Sequence, residues 1–223
     1  MPRLLLTGAG RGIGLEFARQ YAAERWSVVA TVRNEAAAEQ LRALRGDITV
    51  EFLDMRDHRA LVAFAERIGG PLDLFIANAG VTRPDGISAQ DADGWLEVLD
   101  VNCVAPTFLA YNLAPKVVAA RGKMIAITSQ MGSIADNASG GWNAYRASKA
   151  ALNAAWRSMA VEMRSDPVSI AMLHPGWVRT DMGGPGGTLD TAQSVTALRQ
   201  VIDSLGERDK GLFLNHRGET LPW

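Results

Sequence analysis

Apolar and polar positions run in alternating blocks along this chain. Short apolar runs at 2–7, 26–32, 48–53, 72–77, 123–128, 168–173 and 211–215 read as buried strands. Between them, apolar residues recur at helical spacing from Leu15 to Ala23 and over about 34–44, 56–68, 92–118, 142–163 and 192–204. The stretch 92–118 reads as one uninterrupted helix. Alternation of strand and helix predicts an α/β fold, a single doubly wound domain over residues 1–223 with a parallel sheet of about seven strands. Ligands of such sheets bind beyond the carboxyl ends of the strands. The segment 142–163 carries Ala144, Ala147, Ala150, Ala151, Ala154 and Ala155, an apolar surface broader than one buried face needs, which suggests packing against something besides the sheet.

Composition narrows the classes. A hydrophobic fraction of 48% suffices for a buried core, and a net charge of −1 gives no support for nucleic-acid or anionic-membrane binding. Cys103 is the single cysteine, so no intrachain disulfide forms. His58, His174 and His216 are scattered and make no metal-ligand spacing with it, so no metal is expected. No apolar run approaches the roughly twenty residues a bilayer requires. The first strand opens the chain and leaves no room for a signal peptide, so a cytoplasmic location is expected.

Chemistry concentrates at the ends of the strands. The first runs into Thr7-Gly8-Ala9-Gly10-Arg11-Gly12-Ile13-Gly14 and then a helical pattern. Strand, glycine turn and helix form the context in which such a motif binds a dinucleotide. Gly8 would turn the chain, while Gly12 and Gly14 would let backbone approach a pyrophosphate at the helix N-terminus. The bland alternative is a tight turn. No acid stands at the end of the second strand to meet a ribose 2′-hydroxyl; Arg33 is there, and with Arg11 it suits a 2′-phosphate. NADP(H) is therefore expected over NAD(H), the alternative being two solvated surface charges. Tyr145 and Lys149 lie four residues apart, on one face of a helix. An ammonium beside a phenol should lower the phenol pKa and ready it for proton exchange.

The ordered set resembles the short-chain dehydrogenase/reductases, Rossmann-fold enzymes. Asp54, with Met55 beside it, matches the residue that holds the adenine. Asn78-Ala79-Gly80 matches a second signature, Asn102, Ser129, Tyr145 and Lys149 a catalytic four, and Pro175-Gly176-Trp177-Val178-Arg179-Thr180 the segment beside the nicotinamide. The likeness is nearest to the small carbonyl-reductase-like branch that includes the sniffer and C-factor proteins, supported by Tyr145-Arg146-Ala147-Ser148-Lys149 and Leu221-Pro222-Trp223 among others. Ser129 lies sixteen positions before Tyr145, a few more than is usual, so Ser133 is a rival. Ser129 is preferred because it ends a strand and Gly132 follows; residues 136–139 would be an insertion bordering the site.

The resemblance implies hydride transfer between nicotinamide and a carbonyl or alcohol, with Tyr145 as general acid. Lys149 would stabilise the tyrosinate and hold the ribose, Ser129 would polarise the carbonyl, and Asn102 would hold a water. Val178 and Thr180 would hold the carboxamide. It also implies a homodimer, or a tetramer, through 92–118 and 142–163. The small-molecule substrate should meet loops 81–87, 136–139 and 181–188, whose glycines suggest a mobile lid over the site, and Trp142 and Trp177 would form an apolar wall. Two other readings stay open: a dinucleotide-binding regulatory protein of the C-factor type, and an epimerase, for whose substrate domain the chain is short.

Overall fold

A computed structural model of the chain describes residues 1–83 and 91–223. Its strands β1 (Arg3–Leu6), β2 (Ser27–Val32), β3 (Asp47–Phe52), β4 (Leu74–Ala77), β5 (Lys123–Ile127), β6 (Ser169–His174) and β7 (Lys210–Asn215) form one sheet in the order β3-β2-β1-β4-β5-β6-β7. Every pairing in it is parallel. The chain reverses its direction of travel across the sheet between β1 and β4, which opens a crevice above their carboxyl ends.

Helices α1 (Gly12–Ala23), α2 (Glu35–Arg42) and α7 (Thr191–Ser204) cover one face, and α3 (His58–Arg67), α5 (Ala105–Ala119) and α6 (Asn143–Glu162) the other. Successive side chains of β1 divide between the two layers. Leu4 and Leu6 pack with Phe17 and Leu198, and Leu5 packs with Phe64, Leu109 and Trp156, all buried. Burial on both faces explains why the central strands read as continuous apolar runs. The edge strand β3 is more exposed, with Phe52 half in solvent.

The single helix expected over 92–118 is interrupted. It consists of α4 (Ala92–Leu99), a π-helical turn at Asp100–Val104, and α5. Pro106 supplies the reason. It lacks the N–H that the Asn102 carbonyl would receive in an α-helix, and its ring would crowd that carbonyl. The chain inserts a wider turn, closed by the Ala105 N–H on the Asp100 carbonyl. The Asn102 side chain, almost fully buried, is thereby aimed inward at the end of β4.

Candidate active site

The glycine turn after β1 and the segment after β4 face each other across the crevice. The Thr7 hydroxyl accepts from the N–H groups of Asn78 and Ala79 at 3.1 and 3.2 Å. The Asn78 amide donates to the carbonyls of Thr7 and Gly8 at 3.1 and 3.0 Å. Gly8 has φ +67, and a Cβ there would stand 2.7 Å from the Ala79 Cα. A Cβ at Gly14 would meet the Gly8 carbonyl oxygen at 2.2 Å, so this glycine lets α1 press onto the turn. Gly12, at φ +55, opens α1, and no side chain caps that helix at Arg11. Its first N–H groups are left toward the crevice, a ready anion site.

The crevice is a cleft of about 390 Å³. It is lined by Gly8, Gly10, Arg11, Gly12, Ile13 and Gly14 of the turn, by Arg33, Asp54 and Met55 after β2 and β3, and by Asn78, Ala79 and Gly80 after β4. Of the other expected residues, Tyr145, Lys149, Pro175 and Thr180 also line it. Asn102, Ser129, Gly176 and Val178 lie outside the lining. Gly176 packs away from the cleft, where a Cβ would come within 2.7 Å of Leu189.

Further side chains line it, among them Asn34, which the sequence did not single out, and Asp181, from the loop expected at the substrate. Asn34 caps α2, accepting from the Ala37 N–H at 3.0 Å. Asp181 takes Arg11 in an exposed ion pair at 2.7 Å. An Asn before a helix is a legible cap, but nothing local marks a pair 170 residues apart. Among the described residues Arg33 has no hydrogen bond or ion pair, and it is exposed. Asp54 is held by Arg56 through two side-chain bonds at 2.8 and 3.2 Å, which keeps its carboxyl below the usual range.

Tyr145 and Lys149 share a face of α6, but the expected effect on the phenol is overturned. The Lys149 Nζ lies 5.8 Å from the phenol ring centroid and donates to the Ile127 carbonyl at 2.9 Å. Burial, opposed by a hydrogen bond with Ser129, pushes the phenol up to about 12. Burial likewise brings the ammonium down to about 8. Both groups resist charge in this environment, and an ammonium against the ring does not offset that.

The two serines part company. Ser129 faces the Tyr145 phenol and accepts from the Met131 N–H at 3.1 Å. Ser133 instead donates to the main-chain oxygen of Trp223 at 3.2 Å. The Asn102 amide is engaged by the Val81 carbonyl and N–H, both at 2.8 Å, and by the Ser148 hydroxyl at 3.0 Å. It ties the β4 exit to α6 beneath Lys149.

Of the glycines in 181–188, Gly183, Gly186 and Gly187 serve close packing, whereas a Cβ at Gly184 would stand in open space. A Cβ at Gly183 would sit 2.1 Å from the Val178 carbonyl oxygen, and one at Gly187 2.5 Å from the Arg179 nitrogen. The Trp177 indole N–H donates to the Gly183 carbonyl at 2.7 Å, and its ring covers Gly186. Arg179 bonds to the carbonyls of Leu189 and Gly187. This loop is folded back onto its own stem. Trp142 opens α6 in the left-handed region at φ +53, rare for a bulky residue. Both tryptophans are partly exposed and neither lines the cleft, so the expected apolar wall is not part of it. Of the stretch 81–87, Val81 lines the cleft and residues 84–87 lie outside the described residues. His174 is half-buried, and burial, with the nearby His216, holds its imidazole down at about 4. Among the described residues no cluster of His, Cys, Asp and Glu could hold a metal ion.

The sequence pattern of the short chain dehydrogenase family matches residues 3–187. C-signal of Myxococcus xanthus is 39% identical over 164 residues, which cover 72% of this chain and 99% of that protein. The carbonyl reductase Sniffer of D. melanogaster superposes with a TM-score of 0.92 at 33% identity, covering both chains fully. An NADPH-bound carbonyl reductase from chicken fatty liver superposes with a TM-score of 0.91 at 32% identity, covering 100% of this chain and 99% of its own.

Proposed function

Because this chain belongs to the short-chain dehydrogenase family, we propose that its cleft takes NADP(H) in preference to NAD(H) and that Tyr145 protonates a carbonyl substrate within it. The protein is an oxidoreductase acting between a nicotinamide cofactor and a carbonyl or alcohol carbon. The observation that carries the reading is the junction of two features in one cleft, an uncapped helix N-terminus behind a glycine turn and a phenol with a serine and an ammonium beside it. We take residues 1–223 as one such unit, working in the cytoplasm. Among the described residues no helix is long and apolar enough to cross a membrane.

The residues fit the cofactor. The first N–H groups of α1 would take the pyrophosphate, and Asp54 keeps acceptor capacity for an adenine amine beyond its bonds to Arg56. Thr180 and Val178 would hold the carboxamide, and Lys149 the ribose. When bound, the nicotinamide supplies or accepts the hydride. The protein's task is one proton. With its pKa near 12, the Tyr145 phenol stays protonated through neutral pH, the state a general acid needs. Ser129 adds an O–H toward the same oxygen, where charge develops. Lys149 stabilises the tyrosinate that remains. Asn102 keeps the floor beneath Lys149 in place, and its carbonyl, deprived of an α-helical partner by Pro106, can hold a water.

Arg33 and Arg11 carry the cofactor preference. Arg11 must exchange Asp181 for a phosphate. Exposed ion pairs contribute at most about 1 kcal/mol, so a doubly charged phosphate wins that exchange. Arg33→Ala is expected to weaken NADPH binding by roughly 10- to 100-fold, the range of one or two charged hydrogen bonds, and to leave NADH nearly unchanged. Arg11→Ala should act in the same direction but less. Titration of both cofactors by fluorescence checks this; tighter NADH binding in the wild type would mean the arginines are misread.

Turnover of aldehydes, ketones and quinones with NADPH tests the activity itself. Cofactor binding without turnover of any carbonyl would favour the second reading, a regulatory protein, which the likeness to C-signal supports. We also propose a homodimer. Leu96, Val104, Phe108 and Tyr111 on the α4–α5 side and Val161 on α6 are exposed apolar residues on neighbouring helices. Sedimentation should give twice the chain mass at micromolar concentration, and a monomer mass at every concentration would exclude it.

A further inference from the structure

The connection between β5 and α6 carries the hydroxyl that meets the Tyr145 phenol, and it is held from two sides. On the inner side a short turn, Gln130–Gly132, closes on Ser129. The Ser129 hydroxyl accepts from the Met131 N–H at 3.1 Å, and its main-chain carbonyl accepts from the Gly132 N–H at 2.9 Å. Gly132 sits directly on α6, where a Cβ would come 2.9 Å from the carbonyl carbon of Lys149.

On the outer side the holder comes from about ninety residues further along the chain. The main-chain oxygen of Trp223 accepts from the Ala135 N–H at 2.8 Å and from the Ser133 hydroxyl at 3.2 Å. Ser133 in turn accepts from the Asp136 N–H at 3.0 Å, and the Asp136 carboxylate accepts from the Gln130 side chain at 2.9 Å. This closes a ring of bonds back onto the turn that sets Ser129. Trp223 is itself anchored. Its ring lies 5.5 Å from that of Phe213, a buried residue of β7, and the Leu221 N–H donates to the Phe213 carbonyl at 2.9 Å.

Ser133 and Trp223 touch neither the cleft nor the phenol. On the reading above, in which Ser129 polarises the substrate oxygen, we propose that Ser133 and Trp223 are positioning residues: the 221–223 segment is a strap that fixes the Ser129 loop, and with it the hydroxyl, against Tyr145. A misplacement on the order of 1 Å near reacting atoms can cost up to about 100-fold in rate.

Trp223→Ala and Ser133→Ala are each expected to lower kcat roughly 10-fold and to leave the KM for NADPH unchanged, because the strap does not reach the cofactor cradle. Trp223→Phe keeps an aromatic ring on Phe213 and should restore most of the rate. In a Ser129→Ala background neither change should cost anything further, since both act through that hydroxyl. The same loss in both backgrounds would overturn the proposal, as would an unchanged kcat in the two single variants. Amide exchange at Met131 and Gly132 needs no substrate. It should quicken in both variants, and unchanged exchange also overturns the strap. If Ser129→Ala turns over at the wild-type rate, the catalytic reading of Ser129 fails instead, and the exchange rates alone decide whether the strap exists.

Discussion

Tyr145→Phe should abolish nearly all carbonyl reduction while leaving a folded protein that binds NADPH as before. The variant removes one oxygen. That oxygen is the acid in the proposed step, and a positioned general acid contributes about 10²- to 10⁴-fold. A fall of roughly 10³-fold in kcat/KM is therefore expected, with residual rate from Ser129 and from orientation in the cleft. Stability should change little. Ser129 is the polar side chain beside the phenol, and losing an interaction of about 1 kcal/mol is offset by no longer burying a hydroxyl. Parallel measurement of initial rate, NADPH affinity and thermal midpoint separates the outcomes. Retained turnover would show that some other group supplies the proton; lost cofactor binding would show that the ring, and not the proton, is what the substitution disturbs.

Lys149→Met should make the free protein more stable at neutral pH and nearly inactive. Lys149 is 5% exposed, and burial lowers its pKa from 10.5 to about 8. Below pH 8 the native state therefore holds a buried ammonium that the unfolded chain would hydrate. This cost is fully present below about pH 8, shrinks as pH rises toward 10.5 and is gone above it, where both states are neutral. Between those values the unfolded chain binds more protons, so wild-type stability rises with pH. At pH 7 the shift corresponds to roughly 3 kcal/mol at about 1.36 per unit, reduced by the bond to Ile127 that the variant loses. A gain on the order of 1–3 kcal/mol is expected at pH 7, vanishing by about pH 10.5. Denaturant unfolding of both proteins across this range reads it directly. A variant less stable than wild type at pH 7 would mean that the ammonium is well accommodated and that the burial argument is wrong. Activity should fall by at least about 10²-fold, because the tyrosinate and the ribose both lose their cation. This is the common exchange of stability for a strained functional site.

The sequence alone carried the strand–helix alternation, the glycine turn and the spacing of Tyr145 and Lys149, because these are written in local periodicity and in residue types with few substitutes. A Gly14 whose Cβ would strike the Gly8 carbonyl oxygen is legible in the motif itself. The π turn was legible in principle: Pro106, four residues after Asn102, is the local signal for it. What the sequence misjudged was environment. Spacing puts an ammonium near a phenol, but burial decides both charges, and burial is a property of everything packed around them. Glycines in 181–188 have the composition of a mobile loop, yet Gly183, Gly186 and Gly187 fit against main chain or a ring that the folded chain supplies. Spacing left Ser133 a rival to Ser129, and nothing local marks the partner it takes, Trp223, ninety positions further on. The pairing of Arg11 with Asp181 is equally long-range. Local sequence thus determined the architecture and most of the residues that line the cleft, whereas tertiary packing decided the rest of the lining, their partners and their protonation, because those depend on desolvation and on contacts between segments far apart in the chain.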